Sequence, residues 1–159
     1  MKPTLYLETT IPSYLVSRPS RDLIIAAHQQ VTREWWDHRR RDFDVVTSRL
    51  VLDEASVGDQ QAAGKRLEAL RDMPVLELNA DVISFAQEIM RLGCIPERAG
   101  TDSAHISVCA VYGVDFMLTW NCRHIANGVV IAAVRKLCDE AGYAFPVVCT
   151  PDSLLEPMS

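Results

Sequence analysis

Short apolar runs alternate with amphipathic stretches along the whole chain. Five runs are short and rich in branched or aromatic residues, as buried strands are, and they lie at 5–8, 43–47, 74–78, 115–120 and 146–150. Between them, apolar residues recur at the spacing of one helix face, as in Ile24, Ala27, Val31 and Trp35. This alternation predicts an α/β protein in which helices cover both faces of a parallel sheet.

Several residues mark where the predicted helices begin and end. Pro12 is predicted to open a helix, because proline suits the first helical position, and Ser48 is placed to cap the helix that follows the second strand. Gly58, Gly93 and Gly142 each stand where a helical pattern stops. The segments 17–20 and 96–100 are predicted loops. No linker or repeat divides the chain, so residues 1–159 are predicted to form a single domain.

Composition limits the classes of protein that this domain can belong to. The chain has five cysteines and no Cys-x-x-Cys pair, which argues against a disulfide framework and against structural zinc. Its first seven residues are too short and too quickly charged for a signal peptide, and no apolar run is long enough to span a membrane. We therefore expect a cytoplasmic protein without a membrane anchor.

The formal net charge of −5 argues against a protein that binds nucleic acid through bulk electrostatics. Any contact with nucleic acid must therefore be local. The basic run 39–41, next to Trp36, is one candidate for such a contact. The simpler explanation of the run is that positive charges stabilise the C-terminus of a helix.

Four residues stand where an apolar strand gives way to a helix or where a helix begins: Glu8, Glu54, Asp102 and Asn121. In an open parallel α/β sheet, ligands bind outside the carboxyl ends of the strands, where the strand order reverses. We expect these four side chains to converge there on a metal-binding edge. Three of them have an ordinary alternative: Asp102 as a helix-dipole partner, Glu54 as a solvated helix residue, and Asn121 as the cap of a turn. Glu8 is harder to explain in such a way, because a carboxylate that ends a central apolar strand must lie near water or a partner.

Four segments also carry a resemblance to a known family. They are LYLETT at 5–10, the helix at 48–54, TDSAH at 101–105 and TWNCRH at 119–124. In order and approximate spacing they resemble the PIN domain, and most closely the VapC-like toxins of prokaryotic toxin–antitoxin pairs. The resemblance covers nearly the whole chain. The chain departs from the family in having Glu8 where aspartate is usual, and an amide and an imidazole at Asn121 and His124, where a further carboxylate is common.

The resemblance implies a fold, an activity and partners. The implied fold has three layers, α/β/α, around a five-stranded, mostly parallel sheet in the order 3-2-1-4-5. The implied activity is that of a ribonuclease that depends on Mg²⁺ or Mn²⁺. The implied partners are an RNA substrate, a second copy of the chain in a homodimer, and a small antitoxin protein that obstructs the active site.

The same resemblance gives each candidate residue a role. Glu8 and Asp102 are predicted to bind the metal, Glu54 to complete the acidic pocket or orient the attacking water, and Asn121 to position a water or a phosphate oxygen. Further residues are candidates because of their positions near these four in the sequence, either to support them or to contact RNA, and they are Thr9, Ser103, His105, His124, Arg18 and Arg21. For the two histidines, packing or orienting a neighbouring carboxylate is the simpler role.

Two functions of different classes follow. The first is a divalent-metal-dependent endoribonuclease that is the toxin of a toxin–antitoxin pair. The second is a catalytically weak PIN-fold module that binds RNA or protein without cutting, and Glu8 and Asn121 are the departures that favour it. A small-molecule enzyme has no support, because no glycine-rich phosphate loop follows any strand.

Overall fold

A computed structural model describes residues 1–157, so the last two residues of the predicted domain lie outside the described part. Its sheet has five strands, and they are β1 (Thr4–Leu7), β2 (Asp44–Ser48), β3 (Val75–Leu76), β4 (Phe116–Leu118) and β5 (Val147–Cys149). Every pairing is parallel, and the strand order is β3-β2-β1-β4-β5. The expected order 3-2-1-4-5 is therefore confirmed, with β1 at the centre.

The strands alternate with helices, as the pattern of apolar residues predicts. The helices are α1 (Thr10–Val16), α2 (Leu23–His38), α3 (Arg49–Ala55), α4 (Gln60–Leu70), α5 (Ala80–Arg91), α6 (Gly100–Tyr112) and α7 (Gly128–Ala141). Short 3-10 turns lie at Arg40–Asp42, Glu97–Ala99 and Pro151–Leu154. The predicted loop at 96–100 thus contains a helical turn. The third, fourth and fifth strands are shorter than predicted, because few of their residues find a partner on the neighbouring strand. Helix α1 begins at Thr10, two residues before Pro12, the residue predicted to open it.

The hydrophobic core lies around β1 and α6. Leu5, Tyr6 and Leu7 are fully buried, as expected for a central strand that is covered on both faces. In α6, consecutive residues such as Val108 and Cys109 are also buried, so this helix is enclosed on most of its surface. Burying a large apolar side chain contributes about 1.5–3 kcal/mol, so these two elements hold the sheet and the first turn of α6 in fixed relative positions.

Side-chain caps start most of the longer helices. Ser48 caps α3 as predicted, since its hydroxyl oxygen accepts a hydrogen bond from the backbone N–H of Val51 at 3.2 Å. Asp22, Asp59 and Asn79 cap α2, α4 and α5 in the same way. A cap of this kind stabilises a helix by about 1 kcal/mol. The cap at Ser48 fixes the start of the helix that carries Glu54.

Replacing either of two glycines with alanine should change the free energy of unfolding, but in opposite directions. Gly142 ends α7 with a φ of +80°, a conformation that costs an L-residue about 1–2 kcal/mol, so Gly142→Ala should destabilise the protein by that amount. Gly64 lies inside α4, where an added Cβ meets nothing within 4 Å, so Gly64→Ala should stabilise by about 1 kcal/mol. Urea unfolding of both variants measures the two changes, and shifts of equal sign would contradict the assignment.

Two expectations about the whole chain concern thiols and membranes. All five cysteines are free thiols, which agrees with the absence of a disulfide framework. Among residues 1–157, no helix combines the length and the apolar character that crossing a bilayer requires.

Candidate active site

The candidate site lies at the carboxyl ends of β1 and β4. These strands are neighbours, with Leu7 opposite Leu118, and the backbone N–H of Glu8 donates to the Leu118 carbonyl at 3.2 Å. Chain order reverses between these two strands, because β1 has β2 on one side and β4 on the other. The edge is therefore the topological switch point at which such sheets bind ligands. Glu8 follows β1 there, and Asn121 follows β4 after two further residues.

Glu8 is held in place by three hydrogen-bond donors. Its side chain is buried, and Oε1 accepts from the hydroxyls of Thr10 and Thr119 at 2.5 and 2.6 Å. Oε2 accepts from the backbone N–H of Thr10 at 3.1 Å. These bonds replace those that a carboxylate loses when it leaves water. Oε2 accepts a single hydrogen bond and so keeps a lone pair for a ligand.

Thr10 and Thr119 also tie Glu8 to the loop after β4. Each hydroxyl oxygen accepts a backbone N–H from that loop: Thr10 from Trp120 and Thr119 from Asn121, both at 2.9 Å. Each hydroxyl then donates its own proton to Glu8. The loop and the carboxylate are therefore positioned by the same two side chains, which sequence reasoning did not select. Their only signal in the sequence is their place beside Glu8 and Asn121 within the family motifs.

Glu54 projects from α3 and is about one-third exposed. Its Oε1 accepts from the Thr9 hydroxyl at 2.9 Å and lies 2.5 Å from Nε2 of His105. Burial alone would raise the pKa of Glu54. The hydrogen bond from His105, the positive charge that His105 carries when protonated, and the Thr9 hydroxyl outweigh burial and hold that pKa below its ordinary value of 4.5. Glu54 is therefore an ionised carboxylate at neutral pH.

Glu54 should make the free energy of unfolding depend on pH in the acidic range. Because its folded-state pKa is lowered, its contribution is fully present above the unfolded value near 4.5 and is lost as the pH falls through the lower folded value. Replacing Glu54 with Gln should therefore flatten the acid limb of a plot of unfolding free energy against pH. Chemical unfolding from about pH 7 to about pH 3 measures it. The same change at Glu68, which is exposed and paired only with Arg71, should leave the limb as steep as in the wild type.

Asp102 lies in the first turn of α6 and is joined to the loop after β4. Its Oδ2 is 3.0 Å from Nδ1 of His124. The backbone N–H of His124 donates to Oδ1 of Asn121 at 3.0 Å, so Asn121 caps the turn that carries the histidine. The structure therefore shows Asn121 in the capping role that was its ordinary alternative. The side-chain NH₂ of Asn121 has no hydrogen-bond partner among residues 1–157. Through His124, the turn brings Asn121 and Asp102 to the same edge of the sheet.

The remaining predicted residues differ in where they lie. Thr9, the neighbour of Glu8 in the sequence, donates its hydroxyl to Glu54 at 2.9 Å. Ser103 is buried and donates to the carbonyl of Gly100 at 2.6 Å, so its hydroxyl serves the helix and not the site. Arg18 and Arg21 are exposed in the loop after α1, and within residues 1–157 their guanidinium groups have no hydrogen-bond partner.

Two of the three arginines in the basic run 39–41 make contacts within the chain. Arg39 pairs with Asp42, and its Nε donates to the carbonyl of Leu154 at 3.2 Å. The Arg40 guanidinium lies 4.1 Å from the centre of the Trp36 ring. These contacts favour the structural explanation of the run over nucleic-acid binding.

The oxygen donors of the site suit a hydrated divalent ion. Glu8 Oε2 has spare capacity, and Asp102 Oδ1 has no hydrogen-bond partner in the described part of the chain. Within residues 1–157, no three His, Cys, Asp or Glu side chains are grouped so as to hold a metal. Mg²⁺ keeps several waters and is typically bound through one or two carboxylates. Carboxylate oxygens are the type of donor that Mg²⁺ and Mn²⁺ prefer, and two of them are too few for a closed zinc site.

Comparison with known proteins finds chains of similar structure but no match by sequence. The chain matches no protein-family model and no curated protein by sequence. Its structure is similar to that of VapC20 from Mycobacterium tuberculosis, a toxin that cleaves the sarcin–ricin loop, with a TM-score of 0.58 and 18% identity over 81% of this chain and 94% of the other. It is also similar to VapBC2 from Rickettsia felis, whose structure was solved bound to a DNA fragment from the VapBC2 promoter. The TM-score is 0.57 and the identity 12%, over 92% of this chain and 98% of the other. At such low identities these likenesses establish the fold.

Proposed function

We propose that this chain, which has the PIN-domain fold of VapC proteins, is a divalent-metal-dependent endoribonuclease. The observation that carries the proposal is the hydrogen-bonded edge at the ends of β1 and β4. There, the Thr10 and Thr119 hydroxyls link Glu8 to the loop of Asn121, and His124 links that loop to Asp102. A phosphodiester is hydrolysed when water is made nucleophilic and the leaving oxygen is stabilised, and acidic sites of this kind serve that purpose.

Glu8 and Asp102 are the residues that would hold the ion, through Glu8 Oε2 and Asp102 Oδ1. When bound, Mg²⁺ or Mn²⁺ lowers the pKa of water and stabilises negative charge on the phosphate. Thr10 and Thr119 keep Glu8 aimed at the edge of the sheet, because they use its other oxygen.

Glu54 and Asn121 act on the water and on the phosphate. The Oε1 atom of Glu54 is occupied by Thr9 and His105, which leaves Oε2 to accept a hydrogen bond from the attacking water and to orient it. The free NH₂ of Asn121 donates to a phosphate oxygen. Nδ1 of His124 is bonded to Asp102, which leaves Nε2 of the same ring to contact the phosphate.

RNA, an antitoxin protein and a second copy of the chain are the proposed partners. VapC20 is itself a toxin that cleaves an RNA loop, which supports an RNA substrate. VapBC2 supports an antitoxin partner, and the homodimer rests on the family resemblance alone. Arg18 and Arg21 are exposed and would supply local positive charge for contact with RNA in a chain whose net charge is −5. The proposed place of action is the cytoplasm.

A binding module without catalysis is the second candidate. Two observations favour it: Glu8 Oε1 is already saturated by two hydroxyls, and the Asn121 carbonyl oxygen is used to cap a turn. In that case the pocket would bind RNA or protein, and divalent ions would leave the thermal stability of the protein unchanged.

The deciding experiment incubates the purified protein with a pool of structured RNAs, with Mg²⁺ or Mn²⁺ and, in parallel, with EDTA. The endoribonuclease should produce discrete fragments with the ions and none with EDTA. Single-stranded DNA of matched sequences tests whether the 2′-hydroxyl is needed. RNA retained on the protein but uncut, with no ion-dependent rise in melting temperature, would instead support the binding module.

A further inference from the structure

His105 is fully enclosed and uses both of its ring nitrogens. Its side chain is 1% exposed on α6. Nδ1 is 2.6 Å from the Tyr6 hydroxyl, and Nε2 is 2.5 Å from Oε1 of Glu54. The Tyr6 hydroxyl in turn lies 2.8 Å from the hydroxyl of Ser48. A continuous buried chain of hydrogen bonds thus runs from Ser48, through Tyr6 and His105, to the candidate site.

The direction of these bonds is fixed at the Ser48 end. The Ser48 hydroxyl is buried and has two partners, and one of them, the backbone N–H of Val51, is a donor that cannot take its proton, so that proton is donated to the Tyr6 oxygen. Tyr6 then donates to Nδ1 of His105, which must be unprotonated to accept. The single proton of the neutral ring is left on Nε2, where it is donated to Glu54.

The opposite direction would leave a buried donor without a partner. If Nδ1 carried a proton, Tyr6 would accept it and would have to donate to Ser48, whose hydroxyl proton would then have no acceptor. An unsatisfied buried donor costs about 1–3 kcal/mol. Ser48 is fully buried, so water does not relieve that cost.

We propose that His105 is a positioning residue, a neutral imidazole whose Nε2–H holds the Glu54 carboxylate toward the site, with its tautomer fixed by Tyr6 and Ser48. This inference rests on the proposed function, because it gives Glu54 its fixed orientation for the attacking water. Glu54 is one-third exposed near the end of a seven-residue helix, and a free glutamate there would sample several rotamers in water. Thr9 supplies a second bond to the same oxygen, but from a partly exposed residue.

Nitrogen-15 NMR of metal-free protein tests the tautomer without RNA. The chain has four histidines, and the spectrum of the His105→Gln variant identifies the signals of His105 by their loss. The wild type should show one neutral ring at neutral pH, with the proton on Nε2 and Nδ1 unprotonated. Tyr6→Phe, which removes the donor to Nδ1, should weaken that preference. A ring protonated on Nδ1, or on both nitrogens, in the wild type would overturn the proposal.

Two substitutions at position 105 separate positioning of Glu54 from simple packing. The amide nitrogen of glutamine reaches about as far as Nε2 and can donate to Glu54, whereas that of asparagine reaches only as far as Nδ1. His105→Gln should therefore keep kcat within about 3-fold, while His105→Asn should lose about 10- to 100-fold in kcat with KM little changed, as expected for a misplaced catalytic group. Thermal unfolding of both variants confirms that they are folded.

An equal loss of kcat in the two variants, or a loss confined to KM, would overturn the positioning role. The NMR measurement needs neither ion nor substrate. A wild-type protein that shows the expected tautomer but cleaves no RNA would therefore refute the nuclease and leave the hydrogen-bonded chain in place, so the two failures are distinguishable.

Discussion

Replacing Asp102 with Asn should reduce metal-dependent RNA cleavage by more than about 100-fold, which exceeds the loss typical for residues that only support metal ligands. The amide removes the negative charge that binds the ion but is nearly the same size. It can still hydrogen-bond to Nδ1 of His124, so the loop after β4 should stay in place. Single-turnover cleavage with saturating Mn²⁺ measures the chemical step.

Asp81 offers a matched control for this substitution. It is also an acidic residue in the first turn of a helix, in α5, and it is exposed. Asp81→Asn should leave cleavage unchanged, because the helix-dipole contribution that both residues make is worth less than about 1 kcal/mol. Cleavage that persists in the Asp102 variant would mean that the activity belongs to another site or to a contaminant.

Replacing Glu8 with Gln should impair both activity and stability. The amide oxygen can take the place of Oε1 and accept from Thr10 and Thr119, but its NH₂ must then face the backbone N–H of Thr10. Two donors opposed in a buried position should cost about 1–3 kcal/mol of unfolding free energy. Cleavage should fall by about 100-fold or more, because the free lone pair of Oε2 is lost as well.

The control for Glu8 is Glu77→Gln. Glu77 is exposed, and its carboxylate makes a 3.4 Å surface ion pair with Arg49. Such a pair contributes about 0–1 kcal/mol, so the control should change stability little and activity not at all. Urea unfolding and cleavage assays on both variants give the comparison. A Glu8 variant as stable as the wild type would show that the three donors do not depend on a carboxylate.

The order and type of the elements were predictable because each has a local signal. Helical spacing of apolar residues located α2, and Ser48 and Gly142 marked helix ends through capping and a left-handed backbone. Strand lengths were not predictable in the same way. Residues 74–78 look like a five-residue strand, yet only Val75 and Leu76 pair with β2, since pairing depends on a neighbour distant in sequence.

The candidate site was predictable only in part, for a related reason. Glu8 and Asp102 carry charge at strand and helix ends, so they stand out in the sequence. Thr119 and Tyr6 look like ordinary strand residues. Thr119 supports Glu8 across a separation of 111 residues, and Tyr6 supports His105 across 99. Such contacts are set by strand register, which a single sequence does not reveal.

The central position of β1 also controls when the site can form during translation. Thr119 follows Glu8 out of the ribosome 111 residues later, about 6 to 22 s at roughly 5–20 residues per second. Until β4 emerges, one side of β1 has no partner, and Asp102 has no His124. A nascent chain therefore carries no assembled site until the segment 119–124 has emerged, so this strand order delays assembly of the edge until β4 and the loop after it have been made.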